Sequence, residues 1–285
     1  MNPFHDGERA VQARAGETHT ALLNGRMISE SIVVQALPFI RKQPWAVLGG
    51  LDGDGRLWCS ALVGEAGFAE PSADGGEVRF DLRRARARAV NPLLGTVAPG
   101  QALGGLFIEL ATRRRLRVNG HVTDLSDDTL RLAVEESFPN CPKFITLRAF
   151  EGAGGRVVPA PRRGAALGEA ERAWVQSADT LFLATHHPGR GADASHRGGP
   201  PGFVEVVDSR TLRLPDYAGN GLFQTFGNLE CDPRLGMLVP DFATGALLHL
   251  TGTAHVVWEA PDPGARTGGT GRFLEMDVER WVLTP

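Results

Sequence analysis

LGGLFIELATRRRLRVNGHV (residues 103–122) and LGMLVPDFATGALLHLTGTA (residues 235–254) align without a gap. Identities fall at Leu103/Leu235, Gly104/Gly236, Leu106/Leu238, Ala111/Ala243, Thr112/Thr244, Leu116/Leu248 and Gly120/Gly252. Glu109/Asp241 and Leu110/Phe242 are close substitutions. Upstream, CSALVGEAGF (59–68) lies over ASHRGGPPGF (194–203), sharing Ser60/Ser195, Gly64/Gly199, Gly67/Gly202 and Phe68/Phe203. The offset is 135 in this block and 132 in the other, so an intervening loop differs by three residues. Two similar halves in one chain predict an intrachain pseudo-dimer with a pseudo-twofold axis. Sites in such proteins tend to lie between the halves. Positions where the copies differ then carry the information about function.

The bulk properties fit two halves. At 285 residues the length is near that of two domains, each long enough to own a core. The formal charge of −3 gives no general affinity for nucleic acid or an anionic membrane. Arginines cluster at Arg83, Arg84, Arg86 and Arg88 and again from Arg113 to Arg115. With so little net charge, these read as solvated strand edges and loops. Cys59, Cys141 and Cys231 show no CxxC spacing and cannot all pair, which favours a reducing cytoplasm. No apolar run approaches the roughly 20 residues of a membrane helix. The polar, partly acidic start is unlike a signal peptide.

Residues 1–28 mix glycine, threonine, histidine and charge, and read as a loosely held lead-in. The first unit spans 29–150. Ile32, Val33, Ala36, Leu37 and Ile40 have helical spacing, predicting a helix over 29–42 capped by Ser29 or Ser31. Trp45–Leu51 and Arg56–Val63 read as strands around Asp52-Gly53-Asp54-Gly55, a hairpin turn in which glycine supplies positive φ. Arg56 stands where a calcium loop needs a third acidic ligand, so the turn reading prevails. Residues 151–168, rich in Gly, Pro and Ala, read as a linker. The second unit, 169–285, repeats the pattern. Glu169–Ser177 is a short helix and Thr180–Thr185 a strand. A hairpin turns at Asp208-Ser209-Arg210, and Leu247–Trp258 is a long strand bent at Gly252. On it, His249, Thr251, Thr253 and His255 share a face under alternation. Short strands with turn residues and few helices indicate a mainly β protein of antiparallel barrels.

HRGGPPGF, the DYxGN of Asp216–Asn220, and residues 227–252 resemble the pyridoxamine 5′-phosphate oxidase-like FMN-binding split barrels, in their tandem two-barrel form. Asn140-Cys141-Pro142-Lys143 is similar to a segment after the barrel in that family. The resemblance covers roughly 29–150 and 169–285, and is more specific in the second half. It implies two tandem split β-barrels with FMN held non-covalently between them. It also implies an oxidoreductase moving electrons from a reduced nicotinamide or another small donor to an unidentified acceptor. In the family a strand arginine and a downstream Ser-Arg-Lys segment hold the flavin phosphate. Arg197 stands at the first position, but Gly227-Asn228-Leu229 replaces the second, before Asp232-Pro233-Arg234. That departure speaks against pyridoxamine phosphate oxidation itself.

The phosphate of FMN carries about two charges and wants strong donors. Ser195, His196 and Arg197 offer a hydroxyl, an imidazole and a guanidinium in one run, and arginine binds phosphate bidentately. Gly198 and Gly199 let the backbone approach a ligand. Thr225 and Asn228 add neutral donors, Asn220-Gly221 suits a turn beside the ligand, and Tyr217 lies within the DYxGN run. Lys143 reaches from the first half toward the ring or phosphate, where it would stabilise charge on reduced flavin. The first half offers Ala61 and Leu62 in place of His196 and Arg197, and Ala85 in place of Asn220. The second half has no counterpart of Asn140–Lys143. One flavin site, organised by the second half and closed by the first, is the expectation.

Other chemistries fit less well. His186-His187-Pro188 suggests a metal, but neighbouring strand histidines face opposite ways, so no metal is expected. Asp193, Ser195 and His196 lack a nucleophile elbow for hydrolysis. Cys141 reads as a small buried thiol, and Trp45, Trp174, Trp258 and Trp281 as core or half-interface anchors. The rival reading is a non-catalytic flavin or haem binder, or a stress-related protein, with His249 or His255 as axial ligand. A deazaflavin in place of FMN is a third. Related tandem barrels occur joined to reductase modules. With no iron–sulfur cysteine set here, such a reductase is expected as a separate protein. The fused halves are compatible with a monomer or a homodimer.

Overall fold

In the computed structural model, which describes residues 2–85, 91–149 and 160–284, two antiparallel sheets reproduce the sequence repeat. The first contains β1 (Trp45–Leu51), β2 (Leu57–Val63), β3 (Ala69–Pro71), β4 (Glu77–Asp81), β5 (Ala102–Glu109), β6 (Arg114–Leu125) and β7 (Thr129–Pro139), in the order β2-β1-β5-β6-β7-β4-β3. The second contains β8 (Arg162–Gly164), β9 (Thr180–His187), β10 (Gly191–Gly198), β11 (Glu205–Val206), β12 (Thr211–Pro215), β13 (Arg234–Pro240), β14 (Leu247–Val257) and β15 (Phe273–Thr284). Its order, β10-β9-β13-β14-β15-β12-β11, is that of the first, with β8 added beside β15. The protein is mainly β: two tandem split barrels.

The registers match residue by residue. Trp45 pairs with Val63 and Thr180 with Gly198, at the offset of 135. Leu103 pairs with Gly120 and Leu235 with Gly252, at the offset of 132. Bulges fall at Asn119/Gly120 and Thr251/Gly252. A β-carbon on Gly120 would lie 1.8 Å from the Ala133 carbonyl oxygen, and one on Gly252 1.9 Å from that of Asp277. The shared glycine is therefore what lets the neighbouring strand bulge over it.

Each half has its own apolar cluster, and a third cluster straddles them. Trp45, Val47, Leu57, Leu106 and Ile108 of the first half pack there with Phe182, Ala184, Ala194 and Leu238 of the second. The Trp45 ring meets Phe182 edge-on at 5.3 Å, and its indole N–H donates to the Ile108 carbonyl. Glycines bring the backbones together. A β-carbon on Gly104 would lie 2.4 Å from the Asp193 carbonyl carbon, and one on Gly236 2.5 Å from the Cys59 nitrogen. The repeat identity Gly104/Gly236 is thus a close-approach requirement at the pseudo-twofold interface.

The Asp-Gly turn forms as read. Asp52 accepts from the backbone N–H groups of Asp54 and Arg56 and from the Trp58 indole at 2.8 Å, so its carboxylate is spent on the turn. Three expectations need correction. The lead-in folds: α1 (Asp6–Arg14) and α2 (Thr18–Asn24) occupy it. The helix expected over 29–42 is reduced to α3 (Leu37–Arg41). Pro38 lacks an N–H and suits only a helix's first turn, while Ser29 instead bridges to Ser137. In the linker, β8 pairs with Trp281–Leu283 of β15; 151–159 lie outside the described residues, as do Arg86 and Arg88. Two further helices, α4 (Glu169–Ser177) and α5 (Gln224–Cys231), belong to the second half. Helix α1 packs on α5 through glycine: a β-carbon on Gly7 would sit 2.3 Å from the Gly227 carbonyl oxygen.

Candidate functional site

Strand β10 of the second half and β6 of the first line a cleft between the halves. Its cavity volume is about 140 Å³. The segment Asn140–Phe144 closes one side, and the loop from Pro215 into α5 closes the other. Arg115, Arg117, Lys143 and Arg197 line it against a single acid, Asp216.

The hydrogen bonds fix the state of the buried groups. Arg115 donates through Nη1 to His196 Nδ1 at 3.0 Å, and through Nη2 to the Cys141 carbonyl. An arginine can only donate, so Nδ1 is the lone-pair nitrogen of His196 and Nε2 carries the proton. Burial, then the charges of Arg115 and Arg197, hold the His196 pKa well below that of a free imidazole, so the ring is neutral. Burial, then Arg197 and Arg117, lower Arg115 to about 10, which leaves it charged at neutral pH. Arg117 donates to Asp193 and Gln224 Oε1 at 3.0 Å each, and to Ser195 Oγ at 2.6 Å. Four buried nitrogens of these lining residues have no partner: Arg115 Nε, Arg117 Nε, His196 Nε2 and Gln224 Nε2. All four are N–H donors. The residues of the cleft therefore carry unmet donors, and its wall is rich in positive charge.

Residues 167–281 match the profile of the family described as Pyridoxamine 5'-phosphate oxidase. The second half is a pyridoxamine 5′-phosphate oxidase-like split barrel. Solved structures similar to the chain include a Group A Streptococcus HupZ variant (16% identity, 41% of this chain and 99% of that one, TM-score 0.34). A putative pyridoxamine 5'-phosphate oxidase from Lactobacillus delbrueckii is also similar (15%, 42% and 94%, TM-score 0.33). So is HutZ, a heme storage protein from Vibrio cholerae (15%, 37% and 84%, TM-score 0.27). No curated protein matches the chain.

The oxidase-like barrel brings most of the residues singled out from sequence into this one cleft. Ser195, His196, Arg197, Gly198, Tyr217, Asn220, Gly221 and Thr225 line it, and Lys143 is exposed at its edge. Ser195 and Thr225 are spent internally, sharing a 3.1 Å hydroxyl contact beneath Arg117. Two residues lie elsewhere. Gly199 donates its N–H to the Asp179 carbonyl. Asn228 donates to Thr185 and Asp193 and faces a second cavity. Tyr217 stacks on Phe144 of the first half at 4.6 Å.

Sequence reading missed Arg115, Arg117 and Gln224. Arg113 and Arg114 are exposed as expected, but Arg115 is half-buried in the cleft. Alternation along β6 held the signal, because Arg115, Arg117 and Asn119 share a face opposite Leu116 and Val118. Cys141, expected as a buried thiol, is half-buried on the cleft wall.

The barrel repeat places a mirror position for each cleft residue. His196 and Arg197 correspond to Ala61 and Leu62, and Arg115 and Arg117 to Leu247 and His249. All four mirror residues are buried. His249 donates from Nδ1 to the Cys59 carbonyl and accepts at Nε2 from Thr284, both at 3.0 Å. Burial lowers its pKa to about 4. Both ring nitrogens are used, so His249 is not available as an axial ligand. His255 is exposed beside Glu275.

The adjacent histidines have separate partners, His186 with Asp232 at 2.9 Å and His187 against the His5 ring. His5, His187 and Cys231 put ligand atoms within 4.8 Å of one another. His5, however, uses both nitrogens, one at Asn228 Oδ1 and one accepting from the Glu8 N–H.

Proposed function

We propose that the chain is a flavoprotein oxidoreductase that holds FMN non-covalently in the cleft between its halves. The four unpartnered buried N–H donors support this reading most directly. FMN presents acceptors of the right kind: a phosphate dianion and ring carbonyl oxygens. Arg115 and Arg197 would hold the phosphate, with Lys143 at the mouth. The His196 Nε2–H and Gln224 Nε2–H would serve the remaining acceptors. The aromatic faces of Phe144 and Tyr217 border the same space and suit a flat ring.

Bound FMN would supply reversible two-electron or one-electron chemistry. The protein's own part is positional and electrostatic. Buried guanidinium groups favour a ligand as its negative charge grows, and neutral His196 donates without changing protonation. A reduced nicotinamide or another small molecule is the proposed electron source. The apolar mirror position, with Ala61, Leu62 and Leu247, supports one cofactor per chain.

Titration of purified protein with FMN, followed by flavin fluorescence, tests this. Saturation at one FMN per chain is expected. Arg115→Ala and Arg197→Ala should each weaken binding by about 1–3 kcal/mol, roughly 5- to 150-fold. Failure to bind FMN, or wild-type affinity in both variants, refutes the assignment. Binding of a deazaflavin with no FMN binding keeps the anion cleft but replaces the cofactor.

A further inference from the structure

On the other side of Asp193 from the flavin cleft lies a second cavity with the opposite character. Glu8, Glu135, Glu136 and Asp193 line it, with Asn119 between Glu136 and Asp193, Arg190 as the one lysine or arginine on its wall, and His5, His121 and His186 around them. Asn119 Nδ2 donates to Glu136 Oε2 at 2.9 Å and to Asp193 Oδ1 at 2.5 Å. Two carboxylate acceptors fix the orientation of that amide, so Oδ1 is the atom left over. Asn119 is only 7% exposed, and its Oδ1 has no donor. Where the flavin cleft leaves buried donors unmet, this cavity leaves a buried acceptor unmet, beside carboxylates of which Asp193 is paired with Arg117.

Burial is the main cause that raises Glu8 to about 8 and Glu136 to about 7, and Asp193 adds to both. The His5 backbone N–H and Arg190 oppose the rise at Glu8. Arg117, Asn119 and Arg190 oppose it at Glu136. Among the described residues, the only group of three ligand atoms close enough for one ion is His5, His187 and Cys231. The cavity's carboxylates do not form such a group. An extended cation with its own N–H donors is the ligand whose chemistry matches both the unmet Asn119 oxygen and the carboxylates.

We propose that this cavity binds a small organic cation, a primary amine or guanidine. Its N–H groups meet Asn119 Oδ1 and the carboxylates of Glu8 and Glu136. The site is independent of the flavin assignment, and the measurement below needs no flavin.

Isothermal calorimetry of the full chain with putrescine tests the proposal, with choline and Mg2+ as comparison ligands at matched ionic strength. Putrescine is expected to give saturable heat. Choline, which has no N–H, should give none, and Mg2+ should give none. Glu136→Gln should weaken putrescine at least about tenfold, the loss of one charge-assisted contact. In the unmodified protein, affinity should rise between about pH 6 and about pH 9 as Glu136 and Glu8 ionise. This pH series stands even if the variant is poorly folded. The proposal fails if putrescine gives no saturable heat, if choline or Mg2+ binds as well, or if affinity is flat with pH. Wild-type affinity in folded Glu136→Gln also overturns it.

Discussion

Glu8 should make the protein less stable as pH rises through neutrality, and Glu8→Gln should remove that loss. The side chain is 6% exposed where α1 meets α5. Burial, then the charges of Asp193 and Glu136, lift it from 4.5 to about 8. In the unfolded chain the carboxyl ionises first, so between those values the folded state binds the extra proton. Stability therefore falls with rising pH across that window. Each pH unit is worth about 1.4 kcal/mol, so the full window has a ceiling of about 5 kcal/mol. Glu136, raised to about 7, acts in the same direction. A glutamine at position 8 keeps an oxygen for the His5 N–H, which Glu8 accepts at 2.9 Å, but cannot ionise. Urea unfolding followed by tryptophan fluorescence at steps from about pH 5 to about pH 9 measures the effect. The variant should match wild type near pH 5 and exceed it by several kcal/mol above pH 8. Parallel profiles for the two proteins would refute the reasoning.

Two further substitutions test the pseudo-twofold architecture. Gly104→Ala drives a methyl into the Asp193–Ala194 backbone, with contacts of 2.4–2.6 Å, and should cost about 1–3 kcal/mol. Gly95→Ala, whose β-carbon would meet nothing nearer than 3.9 Å, is the control; equal melting temperatures would remove the close-packing argument. His249→Leu should destabilise by about 1–3 kcal/mol, because the buried Cys59 carbonyl loses its donor, yet leave FMN affinity unchanged. A large loss of FMN binding in a folded His249→Leu protein would place the cofactor at the wrong end of the interface.

The strand framework was legible because strand pairing and turn chemistry are local. Asp-Gly and Asp-Ser-Arg marked hairpins, Gly252 marked the bend in its strand, and Glu169–Ser177 carried its helix in its own spacing. The N-terminal helices were hidden for a physical reason. The buried residues of α1 are Gly7, Glu8, Val11 and Gln12, so its packed face shows almost no apolar stripe. The cleft was half legible. His196 and Arg197 stood out as the polar member of an unequal pair of repeats. Arg115 and Arg117 did not, because whether the polar face of a strand meets water or another barrel is decided by tertiary packing.

The Arg117–Asp193 pair now has a control built into the same chain. Taking two charges out of water costs several kcal/mol per ion, and a buried pair is weak evidence of stability. At the mirrored location the repeat puts His249 for Arg117, Trp58 for Asp193 and Thr251 for Asn119. There the barrels close over a neutral, mostly satisfied set, with the Trp58 indole bonded to Asp52 and both His249 nitrogens used. That end of the interface therefore closes without an ion pair. Arg117 and Asp193 sit on the walls of two cavities of opposite need, one with unmet donors and one with an unmet acceptor. Asn119 donates to both Glu136 and Asp193, so a cation that draws on Glu136 in the acidic cavity should be felt, through Asp193 and Arg117, as a change in affinity at the cleft.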